Sequence, residues 1–225
     1  IEREHDRKMR RTANRPLPSG RLTAREALVF GVGISVAGIV YLAVLVNLLT
    51  SFLGLATLLS YLCIYTPLKR RTTWATFVGA FPGAAPALMG WAAVTGNLSM
   101  GAWALYALLF VWQFPHFLAI AWMYREDYAR AGMLMLPADD PRGDVAFRQI
   151  LGYSVALIPV SLLPALLGMT GSVYLWTVAI LGFAFLCFAW QVSRERTTTS
   201  ARMLLHVTVI YLPLVYALMV ANKAT

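Results

Sequence analysis

The sequence predicts an all-α, polytopic transmembrane helical bundle of about seven spans, forming a single domain over residues 1–225. Three observations carry this. Of 225 residues only 13% are charged and 59% are hydrophobic, with a mean hydropathy of +0.65; a soluble domain carries about 25% charge. The charges cluster into a few short segments. Between them the chain runs uncharged for 42 residues (27–68), 53 (72–124), 45 (149–193) and 20 (203–222). Composition also excludes a disordered chain and, with two cysteines, a disulfide scaffold. The net charge of +9 does not point to nucleic acid, because no soluble body exists to display a basic stripe.

A membrane-spanning helix needs about 20 apolar residues. Each of the three long stretches is therefore a helical hairpin, and the last is one span. The expected spans are 27–46, 48–66, 74–94, 100–123, 150–168, 173–192 and 203–222. Turns fall near Val46-Asn47, Thr95-Gly96-Asn97 and Gly168-Met169-Thr170-Gly171, where Gly, Asn and Thr favour turns. The loops at about 1–26, 67–73, 124–149 and 193–202 then share one side. That side holds 18 of the 19 basic residues, so it is expected to be the cytoplasmic face of the cell (plasma) membrane. The chain starts at Ile1 on a charged segment without a signal peptide. It is expected to begin within a larger product, with an upstream helix ending near Ile1.

Topology explains the basic residues but not the carboxylates. Glu2, Glu4 and Asp6 put three carboxylates within five residues, and on a helix Glu2 and Asp6 share a face. Hard oxygen ligands of this kind suit Mg²⁺. Arg7, Lys8, Arg10, Arg11 and Arg15 follow directly. Carboxylates that hold a metal beside guanidinium forks are the arrangement a metal-bridged diphosphate needs. Lys69, Arg70 and Arg71 at the end of the second span add donors, or serve as a membrane-surface anchor. Glu126 and Asp127 are further candidates. Asp139, Asp140 and Asp144 read more simply as a solvated, Pro-bounded turn.

The fourth span carries Trp112-Gln113-Phe114-Pro115-His116-Phe117. Gln and His inside a hydrocarbon span are costly and mark functional or interior positions. His116 lies about 13 Å below the charged end. If the helix continues, Trp112, Gln113, His116, Ile120, Met123 and Asp127 form one stripe. A hydrogen bond from His116 to another helix is the structural alternative, and His206 reads as structural. Pro115 is expected to kink the span. Gly79, Gly83 and Gly90 with neighbouring alanines form a small-residue face for close packing, beside Pro82 and Pro86. Cys63 and Cys187 read as small buried apolar residues. No Walker loop, GxSxG motif or zinc motif is present.

Several of these segments together resemble one family. Asp6-Arg-Lys-Met-Arg-Arg-Thr12-Ala-Asn-Arg15-Pro-Leu-Pro-Ser-Gly20 is similar to the first signature of the UbiA-type intramembrane prenyltransferases. Tyr65-Thr-Pro-Leu-Lys69-Arg70-Arg-Thr72, Trp112-Gln-Phe-Pro-His116-Phe, Asp127-Tyr-Ala-Arg-Ala-Gly132-Met-Leu-Met-Leu-Pro137 and Tyr211-Leu-Pro-Leu are similar to its haem-farnesylating branch. The family's first motif, roughly N-x-x-x-D-R-D-x-D, aligns with Glu2-Arg3-Glu4-His5-Asp6, so Glu stands twice for Asp. The motif's Asn would precede Ile1. With about nine spans in the family, the chain corresponds to the last seven.

The resemblance implies transfer of a farnesyl group from farnesyl diphosphate to a vinyl group of haem B, with addition of water. It implies Mg²⁺ held by Glu2, Asp6 and Asp127, and diphosphate held by Arg11, Arg15, Lys69 and Arg70. Asp6, Asp127, Lys69 and Arg70 would be catalytic, while His116, Trp112 and Gln113 would contact haem. The partners it implies are the two substrates, the lipid bilayer and a haem A synthase. Three other readings stay open. They are a related prenyltransferase acting on a quinone precursor or chlorophyllide, a transporter, and a haem-carrying membrane protein without catalysis.

Overall fold

The structure is a computed structural model that describes residues 2–136 and 140–224. Asp139, and Pro137 at the end of the Gly132 run, lie outside the described residues. Ten α-helices follow in order: α1 (Arg3–Lys8), α2 (Ala24–Leu45), α3 (Leu48–Leu59), α4 (Thr66–Leu68), α5 (Ala75–Thr95), α6 (Met100–Met123), α7 (Arg125–Arg130), α8 (Asp144–Leu166), α9 (Ser172–Glu195) and α10 (Thr198–Ala221). A π-helical turn, Ser60–Tyr65, joins α3 to α4. Among the described residues seven helical segments are long and apolar enough to cross a membrane, with Leu48–Leu68 counting as one. The protein is a multi-pass membrane protein.

Helices α2, α8 and α10 start earlier than the charge-free stretches do, because charge marks where the bilayer ends and capping marks where the helix ends. Thr23 and Glu26 form a reciprocal capping box at the start of α2. Asp140 accepts from the N–H groups of Asp144 and Val145, both at 2.7 Å, so α8 begins six residues before the expected 150. Thr197 and Ser200 cap α10 in the same reciprocal way, five residues before the expected 203. The expected turns are observed. Asn47 caps α3 and donates to Ala92 O at 2.8 Å, while Gly96 and Gly168 take left-handed backbone at φ 69° and 70°.

Helix α6 is the hub, packed against α5, α8 and α10; α9 closes on α8 and α10, and α3 packs between α2 and α5. Between apolar helices in lipid, association depends on close packing and on interhelical hydrogen bonds of about 0.6 kcal/mol each. Both are present. Tyr174 Oη donates to Ser161 O, Gln113 Nε2 to Ala80 O and Trp112 Nε1 to Thr208 O. Ala80, Ala84 and Ala85 are buried on α5, as the small-residue pattern predicts, but Gly90 is exposed and lies outside the packed face. A Cβ on Gly83 would overlap the Gln113 side-chain oxygen, and one on Gly101 would come within 2.5 Å of the Trp91 ring. Pro82, Pro86 and Pro115 lie within helices that continue through them. Cys63 and Cys187 are exposed on the bundle surface, not buried as expected.

The charged loops meet at one end. Arg196, in left-handed backbone at φ 52°, pairs with Asp144 and accepts from Trp122 Nε1, so the α9–α10 turn is tied to α8 and α6. We call this end the basic face.

Substituting Gly101→Leu should force Trp91 from its seat and lower stability by about 1–3 kcal/mol. Gly90→Ala, with no atom within 4 Å of the new Cβ, should not. Thermal unfolding of the two variants in detergent measures the difference.

Candidate active site

Three separate segments converge on the basic face. Helix α1 is short, and the chain beyond it folds back: Thr12 Oγ1 donates to Asp6 O at 2.8 Å, and Met9 is buried against Ala131 and Met133. His5 Nδ1 bonds Ala131 O at 2.7 Å. Leu134 N–H donates to Lys69 O at 2.8 Å. Residues 2–15, 61–69 and 128–135 are thereby fixed to one another.

They enclose a polar cavity of about 180 Å³ lined by Glu2, Asp6, Arg11, Thr12, Arg15, Tyr61, Tyr65, Lys69 and Tyr128, with three methionines. Lys69 Nζ lies 3.3 Å from both Glu2 carboxylate oxygens, and 4.4 Å from the Tyr65 and 5.8 Å from the Tyr61 ring centres. The π turn sets this spacing: Thr66 N–H donates five residues back to Tyr61 O, just before Pro67, which has no N–H to give. The Arg11 guanidinium donates to Tyr128 Oη at 3.1 Å and lies 4.6 Å over the Tyr124 ring.

Five of the predicted polar residues therefore share one cavity: Glu2, Asp6, Arg11, Arg15 and Lys69. The others are placed elsewhere. Glu4 is exposed and pairs with Arg7 at 3.2 Å. Arg70 is exposed and does not line the cavity. Helix α6 ends at Met123, and Tyr124 (φ −112°, ψ 21°) turns the chain into α7. The expected stripe from Trp112 to Asp127 is interrupted there. Tyr128 faces the cavity, while buried Asp127 pairs with Arg130 beside Arg10 and Glu126. Asp140 caps α8 and Asp144 pairs with Arg196. The four tyrosines were assigned no role from sequence, although Tyr61, Tyr65 and Lys69, and likewise Tyr124 and Tyr128, recur at intervals of four.

A second chamber of about 230 Å³ lies behind the first and shares Arg11, Tyr65, Tyr128 and Met135 with it. Thr76, Gly79, Phe117 and Ile120 complete its walls. Gly79 is required here, because a Cβ would sit 2.5 Å from the Tyr65 ring. A third cavity, about 300 Å³, shares Thr76 and Met135 and is walled by Trp74, Phe77, Phe114, Gln149 and Tyr153.

His116 and Trp112 face α10. Their rings stack at 5.0 Å, and His116 Nδ1 lies 2.8 Å from Thr208 Oγ1. Thr208 Oγ1 already donates to Leu205 O at 2.6 Å, so it accepts from His116. In that arrangement Nδ1 carries the proton and Nε2 the lone pair.

The arrangement is a basic cavity with two carboxylates, opening inward on an aromatic chamber, and it suits an anion carrying an apolar tail. The sequence matches the UbiA prenyltransferase family over residues 1–216. The chain belongs to that family. It is 57% identical to the protoheme IX farnesyltransferase of Solibacter usitatus, over 99% of this chain and 76% of the relative. It is 45% identical to the protoheme IX farnesyltransferase of Myxococcus xanthus, again over 99% and 76%. A solved structure of digeranylgeranylglyceryl phosphate synthase superposes with a TM-score of 0.78, at 21% identity, over 98% of this chain and 77% of that one; this likeness concerns the fold.

Among the described residues no three His, Cys, Asp or Glu side chains form a metal cluster. A magnesium ion, however, is commonly bound through one or two carboxylates plus substrate phosphates. Glu2 and Asp6 on one cavity wall fit that requirement.

Lys69→Met should weaken binding of pyrophosphate with Mg²⁺ about tenfold or more, the loss of a charge-assisted hydrogen bond. Arg70→Met should cost clearly less. Titration calorimetry on the two variants ranks them, and equal losses would contradict the placement of Arg70.

Proposed function

We propose that this UbiA-family protein transfers a farnesyl group from farnesyl diphosphate to a vinyl group of haem B, with addition of water, to give haem O. The observation that carries the donor half is the convergence of Glu2, Asp6, Arg11, Arg15 and Lys69 on one cavity with an aromatic chamber behind it. The acceptor half rests on the relatives named above.

The geometry supports the following division of work. Arg11, Arg15 and Lys69 bind the diphosphate and neutralise charge as the allylic C–O bond breaks. Glu2 and Asp6 would hold Mg²⁺, which when bound would draw further charge from the leaving group. In this structure Glu2 is occupied by Lys69 and Asp127 by Arg130. Diphosphate takes over Lys69 and releases Glu2. Asp127 would join the metal ligands only on leaving Arg130, and Arg70 would meet incoming diphosphate at the rim. The Tyr65 and Tyr128 rings face the allylic carbons, where π faces favour a developing cation. Beyond the chamber, His116, Trp112 and Gln113 form the haem contacts. His116 offers Nε2 while Thr208 holds Nδ1, as a second partner holds many metal-bound imidazoles. The excess of Lys and Arg in these loops supports a cytoplasmic basic face in a protein that spans the plasma membrane. Haem A synthase is the proposed recipient of the product.

Incubating the full chain with haem B, farnesyl diphosphate and Mg²⁺ should give a haem heavier by one farnesyl group and one hydroxyl. Prenylation of an added aromatic quinone precursor in place of haem would overturn the acceptor. In the same assay Asp127→Ala should abolish turnover, and normal turnover would remove its metal role. His116→Ala should shift the optical spectrum of bound haem; an unmoved spectrum leaves His116 as a bond between α6 and α10.

A further inference from the structure

The chamber next to the polar cavity is largely aromatic. Tyr65, Phe117, Ile120 and Tyr128 wall it, and its one cation, Arg11, is engaged by Tyr128. Its single aliphatic hydroxyl belongs to Thr76, in the first turn of α5. The Thr76 oxygen is buried and has no hydrogen-bond partner among the described residues. Thr ordinarily returns its hydroxyl to a carbonyl three or four residues back, as Thr57 and Thr95 do here. A buried hydroxyl without a partner is costly, so one is expected to be supplied by a ligand or water.

Thr76 also lines the larger cavity beside it. That cavity lies towards the basic face, since Thr73 precedes α5 and Val145 is in the first turn of α8. It carries further polar groups, Thr73 and Gln149. Thr76 is therefore in the wall shared by the aromatic chamber and a second cavity that carries further polar groups able to bond water.

We propose that Thr76 positions the water that completes the reaction, and that the larger cavity delivers it. This rests on the haem-farnesylation reading. The allylic C–O bond breaks and the pair leaves with diphosphate. The terminal vinyl carbon bonds to the farnesyl carbon, leaving a cation on the carbon next to the porphyrin ring. A lone pair of the Thr76-bound water forms the C–O bond, and the water's proton passes to the departed diphosphate. Without a held water, the cation loses a proton from the neighbouring carbon instead and closes to an alkene, one water lighter than the hydroxylated haem.

The test is the ratio of these two products, read by mass from the full chain with haem B, farnesyl diphosphate and Mg²⁺. Thr76→Val and Thr76→Ala should each raise the alkene share about tenfold, the scale of one lost hydrogen bond. Thr76→Ser should keep the original ratio. Loss of folded protein lowers yield without moving a ratio. Gln149→Leu, on another helix, should move it in the same direction and decides the matter if neither Thr76 variant folds. An unmoved ratio in the folded variants overturns the assignment, as does loss of all transfer with farnesyl diphosphate binding intact. Failure of the parent reading looks different, because the unsubstituted protein then forms no farnesylated haem.

Discussion

The contact between Lys69 and Glu2 is the constraint on which the site depends. An ammonium and a carboxylate 3.3 Å apart, both largely shielded from solvent, join the end of the second span to the start of the described chain. A buried pair of this kind adds little stability and is costly to break from one side only. Its value is positional. With Leu134 N–H on the Lys69 carbonyl and His5 on Ala131, it draws three loops into one polar cavity. The cavity then holds three cations against two carboxylates, an excess that suits an anion accompanied by a divalent metal.

The rest of the bundle keeps that cavity in register with the two chambers beside it. Helix α6 contributes Phe117 and Ile120 to one chamber, Phe114 to the other, and Trp112 and His116 to its contact with α10. Gly79 lets the Tyr65 ring lie flat against α5, so the ring is both wall of the chamber and platform for Lys69. A charged entrance that leads to an apolar interior is what a substrate with a diphosphate head and a prenyl tail demands, and it explains why nearly all charge sits at one face.

Much of this was legible in the sequence because charge is so sparse. The uncharged stretches gave the seven spans, and Glu2, Asp6, Arg11, Arg15 and Lys69 stood out as polar residues that topology alone did not explain. The errors have local causes. Helices α8 and α10 start outside the bilayer, where Asp140 and the Thr197–Ser200 pair cap them. Asp127 was placed on a continuous stripe, but the break at Tyr124 turns Tyr128 inward in its stead. The role of Tyr61 and Tyr65 depends on a π turn, which has no periodic signature. Thr76 could not be singled out, since its significance lies in a hydroxyl left without a partner, a property of packing.

The most direct measurement is an experimental structure with Mg²⁺ and a farnesyl diphosphate analogue whose leaving group cannot depart. Diphosphate is expected between α1 and Lys69, on Arg11 and Arg15, with the Glu2–Lys69 pair opened and the prenyl chain running past Tyr65 toward Thr76. Diphosphate bound elsewhere, with that pair intact, would contradict it.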